Sequence, residues 1–490
     1  MWWNFCFTRA LQLLVVYPFP ARSHNILGNG IVRHLLAAGH QVTYITPFPL
    51  ANPHKNLRQV DVSSNIHVLP ADFNDEVFQF NSVIQVVENT LKDNNVQTLM
   101  NDPKEKFDLI IAEWMFTESY SGLAAVFNCP YIWSIPYETH ATPLSLIDEV
   151  TNPAYVPYMI SKNVPPYSFW QRASELLYQI YSIWRRWPGE RNVYNQVYGP
   201  VMAKKGRPLP SFDEMQKSAS MMLSNSHVSI SIPISLPQNY KYIGGFHIED
   251  GLKPLPEDLK RIMDNAKHGV IYFSLGSNLK SKDFPPAMID GLLKMFSEFK
   301  QTVIWKFEEE RETLPKNVHI IKWGPQQSIL SHTNCKLFIT HGGLLSTIEA
   351  VHFGIPLIGI PVFADQFGNV QRVVSRGLAK RVDLSRALAE DIRVAINEII
   401  NDPSYSTRAK EISFIYHDRV VPPGRELVHW VEHVVRTRGA PHLRSPALLV
   451  PWYQKMYLDL AAVTLIFYTR SLLILNSKQY SLARGKTNLN

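Results

Sequence analysis

A glycine turn in the second half of the chain combines residue types that suit a phosphate ligand. The His-Gly-Gly turn at residues 341–343 follows an apolar run, Lys336–Thr340, and precedes a helical pattern that ends at Gly354. A second apolar run, Ile355–Ile360, completes a strand, turn, helix and strand. Unpaired amides and the positive dipole at the start of such a helix favour phosphate, and glycines let the backbone approach it. The pattern therefore predicts a phosphate site in a βαβ unit.

Polar side chains around this turn suit the remainder of a sugar nucleotide. His341 and Ser346 lie where they can supplement the helix amides on a diphosphate. Glu349 is about one helical turn further along the same face, where a carboxylate can accept hydrogen bonds from two ribose hydroxyls. Asp365 and Gln366 follow the next strand and suit the hydroxyls of a sugar ring. The alternative is a helix cap and two polar loops with no ligand.

A histidine and a carboxylate in the first half have the chemistry for proton transfer. Leu11–Val16 is a predicted buried strand, and His24 starts the helix that follows, where the positive helix end favours a neutral ring. Phe107–Ala112 is another apolar run, and Glu113 ends it. If Glu113 reaches the far ring nitrogen, it fixes the tautomer and stabilises the charge formed on proton transfer. Asp108 is the alternative partner, at the wrong edge of the strand. A lone histidine at a helix start is more often a polar surface residue.

These residues require two α/β domains to position them. The chain has 490 residues, enough for two or three domains. Both leading strands are followed by a turn and a helix, which predicts two Rossmann-like domains facing each other across a cleft. The predicted domains are residues 1–238 and 239–440, joined by a linker at 226–256 that is rich in Ser, Pro and Gly. Residues 441–490 are assigned to a C-terminal crossover, a candidate membrane anchor and a basic tail.

Several segments together resemble the UDP-glycosyltransferases. Their amino-acid sequences are most similar to those of insect members that conjugate small lipophilic molecules. Phe338–Asn369 resembles the family signature, and Trp323–Gln327 resembles its Trp-x-Pro-Gln segment. Tyr272–Ser277 is similar to the strand and turn whose serine meets the diphosphate, and Gly439–Arg444 is similar to the segment before the membrane anchor. The resemblance covers nearly the whole chain.

The resemblance implies a GT-B type fold and an inverting transfer of a hexose from a UDP-sugar to a hydroxyl of a small lipophilic acceptor. The similarity of the sequence to insect members suggests glucose as the hexose. In the family, the histidine matching His24 is the general base, and many members have aspartate where this chain has Glu113. The family tryptophan matching Trp323 stacks on uracil, and the glutamine matching Gln326 bonds the nucleoside. The expected donor-site residues are Ser277, Trp323, Gln326, His341, Gly343, Ser346, Glu349, Asp365 and Gln366.

No cofactor or metal is expected beyond the UDP-sugar co-substrate, and the chain has no Asp-x-Asp pair to hold a diphosphate through a divalent ion. The formal charge of +7 arises from 49 basic and 42 acidic residues and does not indicate nucleic acid as a partner. A non-catalytic UDP-sugar or lipophile binder is the main alternative, and Glu113 in place of aspartate gives it some support. A nicotinamide oxidoreductase is disfavoured, because no Gly-x-Gly-x-x-Gly follows either leading strand.

An aromatic-rich region, Tyr137–Tyr194, has three open interpretations: an acceptor pocket, a membrane-facing surface, or ordinary core packing. The cysteines Cys6, Cys129 and Cys335 are far apart, which predicts no disulfide framework and no metal site. Cys129 and Cys335 border apolar runs and are expected to be buried, inert thiols.

The two ends of the chain raise a question about membrane insertion. Residues 1–10 are too short for a secretory signal and contain Arg9, so the expectation is a truncated or different start. Tyr457–Leu475 is apolar apart from Asp459 and Arg470, and basic residues follow it. By resemblance, we expect an endoplasmic-reticulum membrane anchor, a cytoplasmic tail and luminal catalytic domains. An interfacial helix is the alternative.

Overall fold

The computed structural model describes residues 9–487, with gaps at 69–75, 149–150, 159–160, 162, 164, 185–187, 250 and 278. Residues up to Arg444 belong to one compact unit, and a second unit starts at Ser445. Both sheets lie in the first unit. The expectation about residues 1–10 falls almost wholly outside the described residues.

The first sheet is parallel and consists of seven strands among the described residues. They are β1 (Gln12–Val16), β2 (Gln41–Thr46), β3 (Leu57–Asp61), β4 (Leu109–Glu113), β5 (Tyr131–Ile135), β6 (Met221–Ser224) and β7 (Tyr240–Tyr242). Their order across the sheet is β3-β2-β1-β4-β5-β6-β7. The apolar runs of β4 and β5 are buried along their whole length, as expected for strands covered on both faces.

The second sheet is also parallel and has six strands in the described part of the chain. They are β8 (Val270–Ser274), β9 (Thr302–Lys306), β10 (Val318–Ile321), β11 (Cys335–Thr340), β12 (Leu357–Gly359) and β13 (Ala379–Arg381). Their order is β10-β9-β8-β11-β12-β13. In each sheet the strand order reverses beside the first strand, which is where such folds bind ligands. The prediction of two Rossmann-like domains is confirmed.

Helices cover the faces of both sheets. Those of the first half are α1 (Arg22–Ala37), α2 (Glu76–Lys92), α3 (Asn94–Asn101), α4 (Gly122–Phe127), α5 (Ala141–Ile147), α6 (Phe169–Trp184), α7 (Pro188–Lys204) and α8 (Phe212–Met215). Those of the second half are α9 (Glu257–Asp264), α10 (Pro286–Ser297), α11 (Gln326–Leu330), α12 (Leu344–Phe353), α13 (Gln366–Ser375), α14 (Leu388–Asn401), α15 (Pro403–His417) and α16 (Pro423–Arg436). The unit that starts at Ser445 contains α17 (Trp452–Lys455) and α18 (Leu458–Thr487).

Two details of the predicted domain division differ from the structure. The boundary at residue 238 falls too early, because β7 pairs in parallel with β6 and so belongs to the first sheet. The crossover lies before residue 441: helix α16 packs Leu427, Val431 and Val434 into the core formed around β1 and β2. Helix α16 is therefore the element that crosses back to the first sheet. A strand of three residues has too little periodicity to be recognised from sequence.

Helix α18 contains one segment, Leu458–Lys478, that is long and apolar enough to cross a membrane. Its mean hydropathy is 1.7, and none of its hydrophobic window is buried within the structure. The prediction of an apolar C-terminal helix is confirmed, whereas its insertion into a membrane stays a prediction.

Candidate active site

The histidine and the glutamate predicted for proton transfer are in direct contact. His24 lies in the first turn of α1, and Glu113 is the last residue of β4, the strand beside β1. The Nδ1 atom of His24 is hydrogen-bonded to Oε1 of Glu113, which is buried and 1% exposed. The second carboxylate oxygen of Glu113 is buried and has no hydrogen-bond partner among the described residues. Because Nδ1 is occupied, the remaining ring nitrogen of His24 is the one that can accept a proton.

Asp108, the alternative partner, lies at the opposite end of β4. Its Oδ2 accepts a hydrogen bond of 2.8 Å from the backbone amide of Gln12, at the start of β1. The expectation that it sits on the wrong edge of the sheet is confirmed.

The glycine turn after β11 is shaped by two close approaches. Gly342 has φ +81°, a conformation that residues with a Cβ rarely adopt, and a Cβ there would lie 2.2 Å from Val370 of α13. No side chain caps the start of α12, so its first amides remain available to a ligand. The imidazole of His341 lies between Gly276 and Gly343, where an added Cβ would approach ring atoms to 2.5 Å and 2.6 Å respectively. The absence of a side chain at Gly276 and Gly343 therefore leaves room for the imidazole of His341.

The ring of His341 is neutral at physiological pH. Burial lowers its pKa to about 4, and the positive charge of Lys306 acts in the same direction. Lys306 ends β9 and lines the same cavity. A neutral imidazole can donate one hydrogen bond to a diphosphate, while the ammonium of Lys306 is paired with Glu308 at 2.7 Å.

Glu349 is buried and surrounded by hydrogen-bond donors. Its two oxygens accept from Gln326 Nε2 at 2.5 Å and from Gln327 Nε2 at 3.0 Å, and His247 Nε2 lies 3.5 Å from Oε1. Burial alone would raise the pKa of Glu349, but interactions with His247, Gln326 and Gln327 outweigh it and hold the pKa below its usual value. Gln326 also donates to the hydroxyl of Ser346 at 3.1 Å. Three predicted donor-site residues thus form one hydrogen-bonded group around an ionised carboxylate.

Asp365 and Gln366 are fixed where α13 begins. Oδ2 of Asp365 accepts from Asn369 Nδ2 at 2.9 Å, and Oε1 of Gln366 accepts from the amides of Val362 and Phe363. Burial raises the pKa of Asp365, while Asn369 and the charges of other groups, including His24, oppose the rise. His24 and Asp365 line the same cavity, although one belongs to each half of the chain. Ala364, which precedes Asp365, has φ 53°, a strained backbone at the edge of the site.

Residues of both sheets line one cavity of about 1010 Å³. It includes His24 from α1 and the predicted donor-site residues Ser277, Trp323, Gln326, His341, Gly343, Ser346, Glu349, Asp365 and Gln366. Glu113 is hydrogen-bonded to His24 but does not itself line the cavity. Trp323 is 61% exposed, which leaves much of its ring accessible to a nucleobase, and the ammonium of Lys306 lies 5.6 Å from the ring centre.

The residues of the aromatic-rich region lie in three kinds of environment: the cavity wall, the core and the surface. Tyr137, Tyr158 and Tyr181 line the cavity. Tyr167 and Tyr194 are buried, whereas Phe169 and Trp170 on α6 are exposed. Trp187 lies outside the described residues, and so does the side chain of Trp184.

Lys306, His247 and Arg33 are among the lining residues that the sequence-based prediction did not include. Lys306 ends an apolar strand, a position where such a sheet places ligand-binding groups, so its location was a usable signal. His247 and Arg33 meet only through packing between distant parts of the chain, and no local pattern identifies them.

The burial predicted for the two described cysteines is found for one of them. Cys335 is buried, and Cys129 is half-buried. Burial raises the pKa of each thiol to about 12, so neither is a reactive thiolate. Among the residues that the structure describes, no group of three or more His, Cys, Asp or Glu side chains has the arrangement of a metal site. Cys6 lies outside the described residues.

Comparison with known proteins decides the family. The model of the family described as UDP-glucoronosyl and UDP-glucosyl transferase matches residues 73–484. The chain belongs to this family, the UDP-glycosyltransferases. It is 34% identical to UDP-glucosyltransferase 2 of Dactylopius coccus, over 93% of this chain and 90% of that protein. It is 32% identical to UDP-glucuronosyltransferase 2B7 of Homo sapiens, over 76% of this chain and 70% of that protein.

Solved structures support the two-domain fold. The glycotransferase of kitacinnamycin has a TM-score of 0.59 at 17% identity and covers 88% of this chain and 100% of its own. A UDP-glucosyltransferase from Polygonum tinctorium has a TM-score of 0.58 at 17% identity, covering 87% and 98%. At these identities the likeness shows the GT-B fold alone. As a UDP-glycosyltransferase, the protein is an enzyme of sugar transfer that uses a UDP-sugar as co-substrate.

Proposed function

We propose that this UDP-glycosyltransferase transfers glucose from UDP-glucose to a hydroxyl of a small lipophilic acceptor, with inversion at the anomeric carbon. The observation that carries the proposal is the shared cavity. His24 enters it from the first domain, and Asp365 and the glycine turn enter it from the second. A reacting hydroxyl and an anomeric carbon can therefore meet there.

His24 acts as the general base in this reaction. The acceptor oxygen forms a bond to the anomeric carbon while the bond from that carbon to the diphosphate oxygen breaks. The acceptor proton passes to His24, and UDP leaves with the bonding electrons. Glu113 accepts a hydrogen bond from Nδ1–H of His24, which fixes the tautomer and stabilises the imidazolium that forms.

The second domain binds the leaving diphosphate and the sugar. Ser277, His341, Ser346 and the first amides of α12 stabilise the negative charge that develops on the diphosphate. Trp323 stacks on uracil, Gln326 bonds the nucleoside, and Glu349 accepts from the ribose hydroxyls once its present donors rearrange. Asp365 and Gln366 orient the hexose, so alignment contributes much of the rate.

The donor and acceptor classes rest on two observations. The similarity to a UDP-glucosyltransferase of Dactylopius coccus extends over nine-tenths of both chains and favours glucose. The acceptor end of the cavity contains Phe19, Trp114, Phe116, Tyr137 and Tyr158, which suits a flat apolar molecule.

Helix α18 supports a further proposal, that the protein is anchored in the endoplasmic-reticulum membrane with its catalytic residues on the luminal side. The apolar segment Leu458–Lys478 has the length for one span, at the cost of Arg470 within it. We expect the full chain to stay with membranes after alkaline extraction. Release into the supernatant would instead favour an interfacial helix.

A direct experiment tests the proposed function. Membranes from cells that express the full chain are incubated with a panel of phenols and one of three donors, UDP-glucose, UDP-glucuronate or UDP-galactose. The masses of the products are measured by mass spectrometry. The expected product is an acceptor plus one hexose from UDP-glucose. Binding of UDP-sugars without any product across the panel would favour a non-catalytic binder.

A further inference from the structure

His247 is a buried histidine whose ring has no hydrogen bond. Its side chain is fully buried at the cavity wall, and neither ring nitrogen has a hydrogen-bond partner among the described residues. Oε1 of Glu349 lies 3.5 Å from Nε2, which is within ion-pair reach but longer than an ordinary hydrogen bond. Buried polar groups in native proteins are nearly always paired, so an unpaired imidazole beside a ligand site requires an explanation.

The backbone on either side of His247 is fastened to the helix that carries His24. Arg33 of α1 donates to the carbonyl oxygens of Phe246 and Ile248, at 2.9 Å and 3.0 Å. His34, the next residue of α1, donates from Nε2 to the same oxygen of Phe246 at 2.8 Å. A Cβ at Gly30 would lie 3.1 Å from Cα of His247, so α1 packs directly on this segment. We call Ile243–Glu249 the connecting segment, because it follows β7 and leads to the second domain.

The connecting segment also reaches the nucleotide side by a second route. The amide of Glu249 donates to Oε1 of Gln327 at 3.1 Å, and Nε2 of Gln327 donates to Glu349 at 3.0 Å. Glu349 is therefore linked to this segment through Gln327 and faces it through His247. The same segment is held to α1 by Arg33.

We propose that His247 is a positioning residue that couples occupancy of the nucleotide site to the placement of His24. The inference rests on the proposed function, in which Glu349 accepts from the ribose hydroxyls. A carboxylate has about four acceptor positions, and Gln326 and Gln327 now use both oxygens. When the ribose displaces a glutamine, Nε2–H of His247 closes on Oε1 of Glu349. The connecting segment then shifts together with His247 and carries α1 with it through Arg33.

Three variants distinguish this coupling from simple packing. H247L keeps much of the volume and removes the donor, whereas H247Q retains an N–H donor at a similar distance from the backbone. R33Q weakens the link between the connecting segment and α1 and leaves His247 intact. H352N is the matched control: His352 is on the same helix as Glu349, and its Nδ1 is also buried without a partner in the described structure.

The full chain is assayed for UDP binding by calorimetry, for kcat at saturating UDP-sugar, and for folding by thermal unfolding. We expect H247L to lower kcat about tenfold and weaken UDP binding severalfold, with H247Q close to the unaltered protein. R33Q should lower kcat to a similar extent with an unchanged Kd for UDP. The double variant H247L/R33Q should be no slower than the slower single variant, because both interrupt one route. H352N should retain both values.

The coupling would be overturned by a folded H247L with unaltered kcat and Kd, or by H247Q as impaired as H247L. Multiplicative losses in the double variant would also contradict a single route. Failure of the proposed function is distinguishable, since the unaltered chain itself would then transfer no sugar to any acceptor, whether or not it binds UDP.

Discussion

His24 and Glu113 are joined by a hydrogen bond although 89 residues separate them in sequence. The contact exists because β1 and β4 are neighbours in the first sheet, so the helix after β1 and the last residue of β4 meet at one edge. Glutamate is longer than aspartate by one methylene, yet its carboxylate lies within hydrogen-bonding distance of the ring. The substitution of the aspartate common in this family therefore does not separate the pair.

Replacement of Glu113 tests the role of its negative charge. E113Q keeps the size of the side chain but removes the charge that stabilises imidazolium, and we expect kcat to fall by about 10²- to 10⁴-fold. E113D retains the charge and should be the less impaired variant. Transfer rates at saturating donor, compared for both variants with the unaltered protein, provide the measurement. Equal rates for E113Q and the unaltered protein would exclude the proposed role.

The space around His341 gives a prediction for Gly343. Its φ of −59° is ordinary, so G343A adds only a methyl group that would lie 2.6 Å from Nε2 of His341. We expect displacement of the ring, UDP binding weaker by about tenfold, and a loss of about 1–3 kcal/mol in the free energy of unfolding. G291A is the matched control, because the added methyl in α10 meets only Ala389 at 3.8 Å. Calorimetry showing the same UDP affinity in G343A and G291A would argue against this account.

Trp323 offers a test of base stacking that is independent of protein stability. Its side chain is 61% exposed, so W323A should leave the unfolding temperature almost unchanged. Loss of stacking on uracil should raise the Kd for UDP by about 5- to 150-fold, the equivalent of about 1–3 kcal/mol. Trp170, which is 79% exposed on α6, is the control, and W170A should bind UDP normally. A W323A variant with unchanged affinity would remove Trp323 from the nucleotide site.

Acid should destabilise the fold through buried histidines such as His140. Burial lowers the pKa of His140 to about 4, only partly opposed by the hydrogen bond from its Nδ1 to the carbonyl of Glu138, against 6.5 for a free ring. Between these values the unfolded chain binds more protons, so the stabilisation present above about pH 6.5 is lost as the pH falls toward about 4. The shift corresponds to about 3 kcal/mol.

H140N tests this effect, because asparagine keeps a donor near the position of Nδ1 and cannot take up a proton. We expect urea unfolding at about pH 7 and about pH 4.5 to show a smaller loss of stability in H140N than in the unaltered protein. Burial is also the main cause that lowers the pKa of His227 to about 3. His227 should therefore cause part of the acid-induced loss of stability that remains in H140N. Parallel losses in the two proteins would show that His140 does not contribute.

The sequence was informative wherever function depends on a local pattern. The glycine turn at 341–343, Glu349 one turn into α12, and Asp365 after β12 all follow from strand ends and helix starts, which are readable from periodicity. His24 and Glu113 could be paired because parallel strands bring their carboxyl ends to one edge.

The rest required tertiary structure. Strand β7 has three residues, and its membership of the first sheet depends on pairing with β6. The contact between His247 and Glu349 joins the connecting segment to α12. The hydrogen bond from Arg33 to the carbonyl oxygen of Phe246 joins the same segment to α1. Such contacts arise from packing between domains, which no local periodicity encodes.

The most direct test of base-catalysed transfer in a shared cavity is H24A, measured for both UDP binding and sugar transfer. The account predicts that the Kd for UDP changes by less than about twofold, because the nucleotide residues belong to the second domain, while transfer falls by at least about 10²-fold. Full turnover by a folded H24A protein would contradict the assignment of His24 as the base, and with it the proposed mechanism.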